Sequence, residues 1–489
     1  MEKLNIDLIP NWINGGEVVM DNQDFIEKFN PHTGEVLSRV VNATDNQINS
    51  AIESAEYAFN EWSDLTSLQR GKLLFCLVDQ MKSNKDQLAK CIALETGKSY
   101  KDALGEVGGA IQLGEYFSSE GMRMHGKSIN SGVSNKQSFT IRMPHGVCGL
   151  IVPANTPIAN ISWKVFPALI CGNTIVLKSS EDTPLIAILF AKLVKNAGIP
   201  DGVFNVIQGE GSSVGATLVK DDRIKLISFT GSTNVGKWIA NIASNRLARI
   251  SLELGGKNPF VVCDEADLDQ AVDWAVLSAF SNAGQRCAAG SRIILFDKIY
   301  DLFIEKFLVK TLKLKIGNGD DCDLGPVINM RQKERIQKLI HDVQKDGAKI
   351  LCGASSLPAN LPEKGYYIAP TIIVDIPVNH SFSHTEIFGP VVSIYRVNDI
   401  EEALQLANNS EYGLTSAIHT KDIDRAMWFV KRVRSGVTNI NMGTYGSEPH
   451  MPFGGFGLSG NGTREPGEEA IAVYSELKNI SYLTRTNLI

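Results

Sequence analysis

Between Val147 and Leu254 the chain alternates short apolar runs with helix-length segments, and this alternation restricts its architecture more than any other feature. VCGLIV precedes a helical stretch through Trp163–Phe166, TIVLK precedes a helix from Pro184, and FNVI leads on to LISF, a helix from Ser232 and ISLEL. Runs this short and this apolar must be covered on both faces. Helices that return from the end of one strand to the start of the next cover them around a parallel sheet. The pattern predicts an α/β fold with a Rossmann-like first domain.

A second α/β block starts near Pro259 with FVVCD, a helix from Leu268 and IILFD, and alternates on to about residue 440. Upstream, residues 44–126 read as a helical layer. Thr44 and Gln47 form a capping box there, and Ile48, Ile52, Ala55, Phe59 and Trp62 share one face. The polar, β-prone stretch SINSGVSNKQSFTIRMPHG interrupts the first block as a protruding hairpin. The expected division is residues 1–126 and 145–256 as the Rossmann-like domain and 257–470 as a second α/β domain. Residues 127–144 with 471–489 form a small β element suited to joining copies of the chain.

A chain of 489 residues needs more than one core. Its net charge of −6 offers no basic surface, so neither nucleic acid nor an anionic membrane is expected as a partner. No apolar run approaches the roughly 18 residues of a membrane span, and the N-terminus has no basic start or apolar stretch of a secretory signal. Eight cysteines without a CxxC pair point to reduced thiols and a cytoplasmic location. His380 and His384 are four apart, but HSFSHTEIFGP ends in Gly-Pro and has no HExxH pattern, so no metal site is expected.

Three segments carry candidate chemistry. SNAGQRCAAGSRI sets Cys287 after a Gly-containing polar turn with Arg286 beside it, and a neighbouring cation favours the thiolate that attacks carbonyl carbon. Glu253 leaves an apolar strand directly into Gly255 and Gly256, where α/β folds place functional groups. In VPANTPIANISWK, Asn155 lies between two prolines that restrict the backbone, which suits its amide to holding an oxyanion. Read singly, each has a plain structural alternative: a buried packing thiol, an exposed turn carboxylate, a turn amide.

PxNxP, LELGGKNP and GQRC, in this chain order and at these spacings, resemble the aldehyde dehydrogenase superfamily. TIVLKSSEDTP, FTGSTNVG, EIFGPV and PFGGFGLSGNG extend the likeness over nearly the whole chain. The resemblance implies an NAD(P)-dependent aldehyde dehydrogenase of hydrolytic type. In it Cys287 attacks the aldehyde, the Asn155 amide and the Cys287 backbone N–H hold the oxyanion, and Glu253 activates water against the thioester. It also implies that Lys178 and Glu181 meet the adenosine ribose, that Gly231 and Ser232 face the pyrophosphate, and that Glu386 binds the nicotinamide ribose beside Phe388. An acid at Glu181 favours NAD, with NADP as the alternative. A homodimer or homotetramer is the expected assembly.

The sequence departs from the family pattern near its end. Gly457 stands where many relatives carry lysine, and an extra Thr463 precedes Arg464. Glu465 matches a glutamate sometimes assigned to a proton relay, but the insertion keeps it out of the expected core site. The family's substrate tunnel maps to Thr156, Asn160, Trp163, Arg286, Ala288, Tyr445, Ser447 and His450. This set is more polar than a cage for alkyl aldehydes, so the expected substrate is a semialdehyde or a hydroxylated aldehyde. Arg286 either faces a substrate carboxylate or pairs with a nearby acid. Three rival readings fit the sequence less well. Acylating relatives generally lack the glutamate of LELGG. A plain cysteine hydrolase has no need of Glu181, Ser232 and Glu386. A non-enzymatic binding protein has no need of Cys287, Glu253 and Asn155 together.

Overall fold

A computed structural model of the chain describes residues 7–20, 24–353 and 357–484. The five strands foreseen in the first block form one parallel array. Its spatial order is Arg249–Glu253, Ile224–Thr230, Val147–Ile151, Thr174–Lys178 and Phe204–Ile207. Successive strands run outward in opposite directions from Val147–Ile151. The loops after Val147–Ile151 and Ile224–Thr230 therefore diverge and leave a crevice at the strand ends, where such folds bind ligands.

The array is longer than the alternation foretold. Asn11–Ile13 and Gly16–Val18 add two antiparallel strands at its far edge, and Leu8–Ile9, Phe25–Phe29 and Val36–Val41 form a separate small sheet. These runs are two to six residues long and mix charge with apolar side chains, as in FIEKF, so they carry no clear period. Residues 1–6 and 485–489 of the expected domains lie outside the described residues.

The helical layer is four helices, Asp45–Asp64, Ser67–Ser83, Lys85–Thr96 and Tyr100–Glu120. The Thr44–Gln47 capping box forms with both of its hydrogen bonds. Ile48, Ile52, Ala55 and Trp62 are buried as expected, whereas Phe59 is only half-buried and Ala58 takes the inner position.

The second block has seven strands, six of them parallel, with Asn258–Val262 and Gly290–Phe296 side by side near the centre. The protruding hairpin is Ser128–Ile129 and Lys136–Pro144. Ser475–Leu483 pairs antiparallel with the latter along its whole length. Ile129, Phe139, Leu477, Tyr482 and Leu483 on this small sheet are exposed. Among the described residues no helix is long and apolar enough to cross a membrane.

Candidate active site

The crevice is a cleft of about 960 Å³ that brings together Asn155, Lys178, Glu181, Gly231, Ser232 and Phe388, residues drawn from four separate sequence segments. Gln285 also lines it, so the cleft reaches the segment that carries Cys287. Ser232 is the N-cap of helix Thr233–Ser244, with Oγ accepting from Val235 N, so the free backbone N–H groups of that helix start open toward the cleft.

The three catalytic candidates converge through backbone that must approach closely. Glu253 is the last residue of the edge strand Arg249–Glu253, and Gly255 and Gly256 follow it. A Cβ at Gly255 would stand 2.2 Å from Glu386 Oε2, and one at Gly256 would stand 2.6 Å from the Cys287 carbonyl oxygen. The paired glycines thus let Glu386 and the nucleophile's backbone close on the end of the strand. Asn258 Nδ2 donates to the carbonyls of Cys287 and Ala289 and fixes the segment there.

Cys287 is a free thiol whose pKa is pushed up to about 12, first by burial and then by the nearby Glu386 and Glu253 carboxylates. Arg286 does favour the thiolate, but its pull comes after those of burial and the two carboxylates, and its guanidinium stacks over the Tyr445 ring at 4.8 Å. Glu253 is buried, and neither carboxylate oxygen has a hydrogen-bond partner among the described residues. Burial, reinforced by Glu465, raises its pKa well above the ordinary carboxylate value. Asn155 Nδ2 donates one hydrogen to the Gln285 carbonyl at 2.9 Å, and Asn160 Nδ2 approaches Asn155 Oδ1 at 3.5 Å. The amide is oriented, with its second hydrogen not committed to that bond.

Lys178 and Glu181 pair with each other at 2.9 Å. Burial opposes ionisation of Glu181, but Lys178, a backbone N–H and Arg331 together outweigh it and hold the carboxyl below its ordinary value. Arg331, which the sequence reading passed over, also lines the cleft and adds a second cation near Glu181. Glu386 accepts from Gly256 N at 3.0 Å, and burial lifts its pKa to about 7. Phe388 has a left-handed backbone, φ 56°, held by Gln332 and Arg335, which donate to the carbonyls of residues 386–388. Nothing local in EIFGPV announces that support, because it comes from the helix Met330–Lys345.

The expected tunnel residues separate into two sets. Trp163 packs edge-on against Phe453 at 5.2 Å, Tyr445 carries Arg286, and Ala288 is buried. The Asn160 amide is turned inward to Thr156 O and Oγ1, so both are bonded at the start of helix Pro157–Ile170. Ser447 and His450 lie in the exposed loop, His450 4.0 Å from Glu448. Arg286 makes no pairing with an acid among the described residues, and its Nε is buried without a partner. His380 bonds Asp346 while His384 bonds the Val378 carbonyl, so the two rings serve separate contacts.

Residues 18–480 match the model of the aldehyde dehydrogenase family. The chain belongs to the aldehyde dehydrogenase family. It is 40% identical over 460 residues to human retinaldehyde dehydrogenase 3, covering 92% of this chain and 88% of that one. It is 36% identical to the α-ketoglutaric semialdehyde dehydrogenase of Bacillus subtilis, over 96% of this chain and 97% of that one. The crystal structure of betaine aldehyde dehydrogenase from Staphylococcus aureus, in complex with NAD+, superposes with a TM-score of 0.95 at 33% identity, covering 99% and 97% of the two chains. The fold is that of the aldehyde dehydrogenases, and the chain is an NAD(P)-dependent aldehyde dehydrogenase.

Within this aldehyde dehydrogenase the unusual C-terminal segment has a physical account. Gly457 has φ 56° in the strand Phe456–Gly457, and a Cβ there would lie 2.4 Å from the Glu411 carbonyl, so a lysine is strained at this position. Thr463 bonds Ser251 and Asn461, and Asn461 in turn bonds the backbone of Ile250 and Leu252. These bonds run along the edge strand that ends in Glu253. Glu465 then reaches the interior, where it meets Lys164, Ser228 and Tyr474.

Proposed function

We propose that this enzyme oxidises a polar aldehyde to its carboxylic acid, with Cys287 as nucleophile, Asn155 as oxyanion donor and Glu253 as the base for hydrolysis. The observation that carries this reading is the Glu253 carboxylate, buried without hydrogen-bond partners among the described residues and close enough to the Cys287 thiol to raise its pKa. A carboxylate kept desolvated has the raised proton affinity that a base near neutrality requires.

After loss of its proton, the Cys287 sulfur forms a bond to the carbonyl carbon and the π pair moves to oxygen. The uncommitted N–H of Asn155 is positioned to receive that charge. The hydride acceptor is supplied by NAD(P) when bound, and as hydride leaves the substrate carbon the oxyanion pair returns to re-form the carbonyl, leaving a thioester on Cys287. Glu253 next takes a proton from water, the water oxygen adds to the thioester carbon, and the C–S bond breaks to return the Cys287 thiolate and release the acid.

The chain's own residues fit a dinucleotide. The helix that Ser232 caps presents free N–H groups for the pyrophosphate after Gly231. Lys178 and Glu181 are placed for the adenosine ribose, and Glu386 and Phe388 for the nicotinamide end. NAD is the preferred form, because the ionised Glu181 repels a 2′-phosphate. NADP is the alternative, because Lys178 and Arg331 stand beside that carboxylate.

Arg286 supports a polar or anionic substrate. Its guanidinium is held over Tyr445 without an acidic partner among the described residues, which leaves its charge for a substrate carboxylate or hydroxyl. Residues 1–126 with 145–256 are the proposed NAD-binding domain and 257–470 the catalytic domain. The exposed apolar side chains on the sheet of 127–144 and Ser475–Leu483 support association with further copies as a homodimer or homotetramer. All eight cysteines are unpaired, which supports a cytoplasmic location.

A panel of succinic semialdehyde, glycolaldehyde and hexanal, followed for NADH and NADPH with Cys287→Ala as control, tests the reading. The expected result is polar-aldehyde turnover favouring NAD and lost in the variant. A clear preference for hexanal contradicts the polar pocket, and full activity of Cys287→Ala contradicts the nucleophile.

A further inference from the structure

We propose that Lys98 and Glu106 are positioning residues that set the Asn155 oxyanion donor, an inference that rests on the reading of Asn155 given above. Helix Pro157–Ile170 begins two residues after Asn155, and its N-cap residue Thr156 makes no side-chain capping bond. Its free N–H groups therefore need partners from elsewhere. Glu106, from helix Tyr100–Glu120, supplies them: Oε1 accepts from Ile158 N at 3.0 Å and from Ala159 N at 3.4 Å. A carboxylate at a helix start also meets the positive end of the helix dipole.

The other oxygen of the same carboxylate bonds Lys98. Lys98 Nζ lies 2.6 Å from Glu106 Oε2 and 2.8 Å from the Asn155 backbone carbonyl, and both side chains of the pair are only 5% exposed. The Asn155 carbonyl accepts a second bond from Asn282 Nδ2 at 3.1 Å. Asn282 and Ala283 are both left-handed, and this turn leads directly to Gln285, whose carbonyl receives the Asn155 amide.

The oxyanion donor is thus tied at both ends. Its side chain is bonded to the nucleophile's segment, and its backbone is bonded to a buried ion pair that also caps the helix behind it. Neither Lys98 nor Glu106 touches the reacting atoms by any contact described. Without Lys98 the Asn155 carbonyl keeps one donor, and Glu106 is left as a buried carboxylate without its cation. The loop then has freedom to turn the amide away from the oxyanion, which costs transition-state stabilisation and leaves cofactor binding untouched.

The test is the pre-steady-state burst of NADH in Lys98→Met, Lys98→Arg, Glu106→Gln, Asn155→Ala and the double variant Lys98→Met/Asn155→Ala, with KM for NAD measured alongside. Asn155→Ala should slow the burst about 100-fold or more and Lys98→Met about 10- to 100-fold. KM for NAD should stay within about twofold, and Lys98→Arg should recover part of the rate. The double variant should be no slower than Asn155→Ala alone, because both act through one group. A folded Lys98→Met with an unchanged burst, or multiplicative losses in the double variant, overturns the proposal while leaving Asn155 in place. An unchanged burst in Asn155→Ala overturns the reading it rests on. If Lys98→Met does not fold, the same cycle with Glu106→Gln decides by the same criteria.

Discussion

Lys164 Nζ and Glu465 Oε2 lie 3.1 Å apart, both fully buried, and both charges act on the Glu253 carboxylate. Lys164 belongs to the helix that follows Asn155, and Glu465 to the segment lengthened by Thr463. Glu253 therefore senses two opposed charges. Glu465 raises its pKa and Lys164 lowers it, on top of the larger effect of burial.

Replacing these two residues separately should move the acidic limb of the rate profile in opposite directions. Glu465→Gln removes a negative charge and should let Glu253 ionise at lower pH, whereas Lys164→Met should push its ionisation higher. Lys164→Met also leaves Glu465 buried without a cation and should cost about 3–5 kcal/mol of stability, read from the unfolding transition. Limbs that move together, or not at all, separate this pair from the base.

The wild-type pH dependence follows from the same groups. In its proposed role as base Glu253 must be deprotonated, and its pKa is raised, so hydrolysis-limited turnover should fall as pH drops through a limb above the ordinary carboxylate range. Cys287, pushed up to about 12, adds a further rise toward alkaline pH in the acylation step. Measuring kcat at saturating aldehyde and NAD from about pH 5 to 10 checks the sign. A flat profile from the acid end contradicts a desolvated base.

Arg286→Leu should remove the preference for anionic over neutral aldehydes. Loss of a charge-assisted contact corresponds to about 1.5–3 kcal/mol, a drop in kcat/KM for succinic semialdehyde of roughly 10- to 100-fold. The value for hexanal should change little. Equal losses on both substrates place Arg286 in the wall beside Tyr445 and not on the substrate.

The parallel sheet was legible because each strand of the first block is a short apolar run between helices, and the Thr44–Gln47 cap was legible because it is local. The strands between residues 8 and 41 were not, since FIEKF mixes charge with apolar residues even though its partner Val36–Val41 is nearby, and Asn11–Ile13 gains its place from the distant Phe204–Ile207. Cys287, Glu253 and Asn155 could be singled out as candidates from their motifs. Their environment was not. The turning of Arg286 onto Tyr445, the arrival of Glu465 beside Lys164 and the clamp of Lys98 on Asn155 each join segments far apart in the chain. No local pattern encodes such contacts, and an insertion like Thr463 hides them further.

The account depends most on acyl transfer to Cys287 followed by hydrolysis at Glu253. Intact mass and peptide mapping of Glu253→Gln, after incubation with aldehyde and NAD, measure this directly. The account predicts an NADH burst with slow steady turnover and an acyl adduct on Cys287. Undiminished steady turnover, or an adduct on another of the eight cysteines, would contradict it.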